Sequence, residues 1–185
     1  MAGRVHAFTP EALSGAQRDL YEAIAGGPRA KGPQHFALTR DDGSLRGPFN
    51  ALLLAPDLGA ALQDVGAAIR YRGALTDRAR EIAILLVAAR WDSAFEREAH
   101  EAVGAAAGLT GAEVTALRDE ESTAFTGDEG LVARVTAALL DGDLDDELWG
   151  EASVVLGADV VFELTVLVGY YATLALQLRV FRVEA

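Results

Sequence analysis

Two side chains one helical turn apart open the chemical reading. Glu96 and His100 stand at i and i+4 in the segment after Trp91, and at 3.6 residues per turn a carboxylate and an imidazole so spaced can touch. Ser93 falls on the same stripe. Phe95, Ala99, Ala102, Val103 and Ala106 form an apolar stripe, and Glu98 and Glu101, with Arg97 beside them, form a charged face. The three stripes lie roughly 100–120° apart by that periodicity. An imidazole beside a carboxylate is the pairing used for general acid–base chemistry near neutral pH; on a solvated face it is an ordinary ion pair. The chain has no cysteine, which removes thiolate nucleophiles, disulfides and thiolate metal sites. Glu81, Glu96 and His100 are chemically able to ligate a divalent ion. No closed metal motif surrounds them, so neither a metal nor an organic cofactor is expected.

The preceding helix must position this stripe. From Ile82 to Ala89 eight consecutive residues are apolar, a pattern that buries a helix on every side. Thr76 is its expected cap. Glu81 sits at its edge, where a carboxylate must be paired, hydrogen-bonded or protonated, because bare burial of charge costs several kcal/mol. The short connection through Trp91 predicts an antiparallel neighbour starting at Asp92 or Ser93 and ending at Gly108, and His100 on that neighbour is the natural partner of Glu81.

The remainder reads as an all-α bundle. Strict apolar–polar alternation is scarce, and helix punctuation recurs. Thr9-Pro10 is expected to open a first helix through about Ile24, followed by a long connection over 26–47. Helices are then expected over 49–54 and 57–72, from Thr76 to about Ala89, and from a Thr110–Glu113 capping box to Arg118. Three more are expected over 128–140, 144–156 and 158–180. With 185 residues, 51% of them hydrophobic and 24% charged, one domain over 1–185 is expected: an N-terminal helix and loop over 1–45 and a core over 46–181. The net charge of -12 argues against nucleic acid, which needs clustered cations. Most of that excess lies between Glu113 and Asp146 and reads as a solvated acidic flank. The apolar run Leu164–Leu178 falls short of the ~20 residues that span a bilayer, and Met1–Pro10 lacks a signal-peptide core. A soluble cytoplasmic protein with no membrane or nucleic-acid partner is the expectation.

Glu81, Ser93, Glu96 and His100 stand at E-x11-S-x2-E-x3-H. This resembles the E-x11-C-x2-C-x3-H motif of alkylhydroperoxidase D-like proteins with both cysteines replaced. The form with Glu before the x3-H step is similar to the carboxymuconolactone decarboxylase branch. Arg46-Gly47-Pro48-Phe49-Asn50-Ala51-Leu52-Leu53, followed by Ala55-Pro56, resembles that branch's R-G-P-F-N-A-L-L-x-x-P segment. Glu163-Leu164 with Gly169-Tyr170-Tyr171, spaced E-L-x4-G-Y-Y, resembles its C-terminal helix. The resemblance covers about 45–181. It implies an alkylhydroperoxidase D-like helical bundle assembled as a homo-oligomer, a trimer or hexamer, with sites near subunit contacts. Without thiolates, a thiol peroxidase cycle is excluded.

The resemblance implies a cofactor-free lyase acting on a small lactone or carboxylic acid. His100 would be the general acid and Glu81 its orienting partner, with Glu96 sharing its proton or positioning the substrate. Arg46 or Arg72 would grip a substrate carboxylate, a task suited to a guanidinium. Asn50, Trp91, Ser93 and Tyr170 would line the site, while Tyr171 reads as a core aromatic. His6 and His35 are given no role. Three alternatives remain at this level: another cofactor-free hydrolase or isomerase on the same scaffold, Ser93 as a nucleophile, and a non-catalytic ligand-binding oligomer.

Overall fold

Ile82 to Ala88 carry no polar side chain, and the structure surrounds all of them. The computed structural model, which describes residues 3–31 and 36–183, is all-helical apart from one isolated bridge pair. Its helices are α1 (Gly15–Ala25), α2 (Pro28–Lys31), α3 (Pro48–Leu52), α4 (Pro56–Tyr71), α5 (Asp77–Arg90), α6 (Ala94–Ala106), α7 (Gly111–Arg118), α8 (Gly127–Asp141), α9 (Asp146–Val155) and α10 (Ala158–Phe181). α5 packs against α6, α7, α8 and α10 at once, which is why its sequence shows no polar face. Buried Ile84 and Val87 meet Leu131, Val135, Leu164 and Leu167 in one cluster, while Ile82, Leu85 and Leu86 meet Leu109, Leu117 and Phe125 in another. Each such side chain contributes ~1.5–3 kcal/mol by leaving water.

Helix starts follow local chemistry. The Thr76 hydroxyl accepts from the Ala79 N–H, and Thr110 with Glu113 forms the reciprocal capping box expected from their spacing. At the N-terminus the expectation needs correction. Thr9-Pro10 opens only a 3-10 turn, Pro10–Ala12, and the helix starts at Gly15 under a capping box of Ser14 and Gln17. Proline favours the first turn of either kind, but only Ser14 supplies the side-chain acceptor that starts the α-helix. α9 likewise begins at Asp146, capped by Asp145, rather than at 144.

The 26–47 connection is more ordered than a plain loop. It holds α2 and an antiparallel bridge between Thr39 and Leu45, and Leu38 and Leu45 enter a core cluster with Phe8, Leu20, Ile24, Phe49 and Leu53. His35 lies outside the described residues. The run Leu164–Leu178, short by itself, sits within a 24-residue helix that is long and apolar enough to cross a membrane. Nearly half of its apolar window is buried against the rest of the chain.

Candidate active site

The turn that returns the chain from α5 to α6 is three residues long, with Asp92 in the left-handed region at φ 47°. Aspartate tolerates that conformation better than most residues, and the Arg97 guanidinium holds its carboxylate at 2.7 Å. The Ser93 N–H donates to the Ala88 carbonyl at 2.9 Å, so α6 folds straight back along α5. Gly47 (φ 58°) then lies against the Phe95 ring, which fills the space a Cβ would need. That contact sets the Arg46–Asn50 segment against the start of α6.

The fold brings Glu81 and His100 together. His100 Nδ1 is 2.7 Å from Glu81 Oε2, with Glu81 0% and His100 7% exposed. With Nδ1–H donating to the carboxylate, the ring is held in one orientation and Nε2 becomes its working nitrogen. The Tyr171 ring meets the imidazole edge-on at 5.1 Å, and Tyr170 meets Tyr171 at 5.2 Å. Tyr171, expected only as a core aromatic, therefore also fixes the imidazole plane. Tyr170 packs against Gly66 of α4, where a Cβ would meet its hydroxyl.

α6 differs from its expected amphipathic wheel. Its buried face combines Phe95, Ala99 and Val103 with Glu96 and His100, while Ala102 and Ala106 are exposed. Glu96 is 2% exposed, and neither carboxyl oxygen has a hydrogen-bond partner. Burial alone pushes this carboxyl up to about 8, so at neutral pH it is a neutral acid. Among the described residues no three His, Asp or Glu side chains are placed to hold a metal ion. Glu96 therefore does not converge with Glu81 and His100 on a coordination point.

Arg80, which sequence reasoning passed over, flanks the pair. Its Nε lies 3.8 Å from Glu81 Oε1, too long for a hydrogen bond, and both atoms are buried and unpartnered. The adjacency Arg80-Glu81 was the available signal, but which way Arg80 turns depends on α4 and α6.

The remaining site candidates are dispersed. Ser93 is buried, its Oγ is unpartnered, and it lines a pocket with Trp91, Phe95, Leu178 and Arg179. Trp91 is half-buried; the Arg179 guanidinium lies 5.6 Å from its ring centroid and also donates to its carbonyl. Asn50 is buried but its amide is engaged by backbone: Phe8 N–H donates to Oδ1 and Nδ2 donates to the His6 carbonyl, each at 3.0 Å. This ties the N-terminal segment to α3. His6 is exposed and stacks on Phe8. Arg46 is half-buried, and Arg72 is exposed at the end of α4. No family model matches the chain, and no curated protein matches it in sequence.

Proposed function

We propose that the chain is a cofactor-free lyase of the carboxymuconolactone decarboxylase type, acting on a small lactone carboxylate by acid–base catalysis. The observation that carries this reading is the 2.7 Å bond between Glu81 and His100 in the protein interior. A neutral Glu96 one turn away on α6 and the E-x11-S-x2-E-x3-H spacing support it.

In such a reaction the carbon–carbon bond to the carboxylate breaks and carbon dioxide leaves. Its electron pair moves through the ring double bond onto the lactone carbonyl oxygen, giving a dienolate. A proton then returns to carbon, and the product is an enol lactone. The protein must stabilise the developing oxyanion and deliver that proton. His100 Nε2 is the proton donor in this reading, and Glu81 keeps the ring oriented as its charge changes. Glu96, protonated at neutral pH, donates a hydrogen bond to the oxyanion or replaces the proton that His100 gives up. The same reading makes the protein a cytoplasmic homo-oligomer. Further copies would cover exposed Leu58 and Val65 of α4 and Phe162 and Leu176 of α10.

Purified protein incubated with γ-carboxymuconolactone should release carbon dioxide and form enol lactone. His100→Ala should lower turnover by about 1,000-fold, the scale at which a general acid contributes. A folded, wild-type protein with no turnover would sink this substrate and send the search to other lactones and to hydrolysis. Turnover unchanged by His100→Ala would sink the assigned role.

A further inference from the structure

Arg80, next to Glu81 in α5, also lines a pocket shared by α4, α5 and α6. The pocket has a volume of about 420 Å³ and is lined by Arg70 and Tyr71 from α4, Asp77 and Arg80 from α5, and Val103 and Ala106 from α6. That volume suits a small organic ligand. The Arg80 side chain is 9% exposed and its Nε has no hydrogen-bond partner. Its outer nitrogen Nη2 is taken by Asp77 Oδ1 at 2.5 Å, yet the Asp77 side chain is 81% exposed. A deeply seated guanidinium is thus served by a solvated carboxylate that water can hold equally well. Arg70 adds a second cation, its guanidinium 5.9 Å from the Tyr71 ring centroid. Arg70 and Arg80 stand against two carboxylates, exposed Asp77 and buried Glu81, so once Asp77 turns out to water two guanidinium groups face one carboxylate.

We propose that this pocket is a carboxylate-binding subsite, in which the Arg80 guanidinium takes the carboxylate of a small flat organic acid and Asp77 is the resident competitor that the ligand displaces. A guanidinium grips a carboxylate through two parallel N–H donors, and the ligand body would lie over Val103 and Ala106. Val103 is one turn from His100 along α6 and Arg80 adjoins Glu81 in α5, so the pocket neighbours the pair, neither member of which lines it. This subsite rests on the decarboxylase reading for its substrate, but its test is a binding measurement. It moves the anion grip from Arg46 and Arg72, neither of which lines the pocket.

Titration calorimetry with benzoate and its neutral analogue benzamide tests the proposal. Benzoate should bind at least about tenfold tighter than benzamide, and its addition should shift the Val103 methyl resonances. Asp77→Asn, which removes the competitor, should tighten benzoate binding by about three- to tenfold, ~1 kcal/mol. Arg80→Met should abolish binding. Because that variant leaves Glu81 without its cation and can fail to fold, Ala106→Trp, at an exposed position on the rim, should block the same pocket. Equal binding of benzoate and benzamide, no benzoate binding, or an affinity unchanged or weakened by Asp77→Asn would overturn the subsite. Lactone turnover without benzoate binding removes the subsite alone; benzoate binding without lactone turnover removes the decarboxylase alone.

Discussion

Arg78 and Arg80 leave α5 two residues apart and meet opposite surroundings. Arg78 turns toward α7 and α8, where its guanidinium pairs with Glu113, shares its Nε–H between the two Glu129 oxygens at 2.9 and 3.0 Å and donates to the Gly108 carbonyl. At the far end of the same helix Arg90 repeats the pattern with Glu120 at 2.6 Å and Asp141 at 2.8 Å. Arg80 turns inward, keeps an unpartnered Nε, and stands beside a buried Glu81 whose Oε1 is also unpartnered. Both regions are charge networks on one helix. The outer network is saturated, and it clasps helices whose apolar faces already meet. The inner one leaves buried polar atoms open, an arrangement that destabilises a fold unless something else requires it. Gln63, Glu163 and Gln177 also keep a buried unpartnered oxygen, so open atoms alone do not set the Glu81–His100 region apart; its buried imidazole–carboxylate bond does.

The two regions also respond to pH in opposite directions. The Thr110 backbone N–H, the Arg78 guanidinium and the Thr110 hydroxyl together hold Glu113 down at about 2. Its contribution to stability is present above the ordinary carboxyl value of 4.5 and is lost as pH falls toward 2. Glu96 behaves in reverse. Unfolded, it ionises near 4.5; folded, it keeps its proton to about 8. Across that window the folded chain holds a proton that the unfolded chain has lost, so stability falls as pH rises and levels off above it. At ~1.4 kcal/mol per unit the loss is at most ~5 kcal/mol.

The largest expected effect is therefore on the inner region. Glu96→Gln should flatten the decline in stability between pH 5 and 8 and make the variant more stable than wild type at pH 8. Chemical denaturation across that range checks it, and a wild-type curve with no decline would break the contrast between the two networks. Next in size, Glu81→Gln should reduce lactone turnover by about 100-fold, ~3 kcal/mol, the scale of losing a residue that orients a catalytic imidazole. A pH–rate profile that moves with the variant would distinguish positioning from simple loss of folding; one that keeps its shape would make the pair structural. The smallest effect belongs to the outer network. Arg78→Ala should cost ~1–2 kcal/mol in denaturant unfolding, less at high salt, while leaving turnover unchanged. A drop in turnover there would show that the two networks are coupled through α5.

Much of this contrast was legible in the residues themselves. The eight apolar residues after Glu81 announce a helix buried on all sides, and the capping chemistry of Thr76 and of Thr110 with Glu113 marks its helix starts within a residue. The pairing of Glu81 with His100 also follows, because a three-residue turn between two helices leaves only an antiparallel register. These features depend on groups within a few turns of one another, where period and cap chemistry decide the outcome.

Other features depend on what arrives from elsewhere in the chain. The Ser93, Glu96 and His100 stripe reads as a polar face of α6, yet it is buried together with the apolar one. Asn50 reads as a site residue, yet its amide is engaged by the backbone of His6 and Phe8, more than forty positions away in sequence. Arg80 is unremarkable beside Arg78 until α4 and α6 place a pocket on one side of α5 and α7 and α8 place carboxylates on the other. Periodicity is a property of the chain alone, and it determined the helices, the burial of α5 and the Glu81–His100 pair. Whether a buried polar atom finds a partner is a property of neighbours brought together only by packing, and tertiary structure alone decided that Arg80, Glu81 and Glu96 would be left with open atoms.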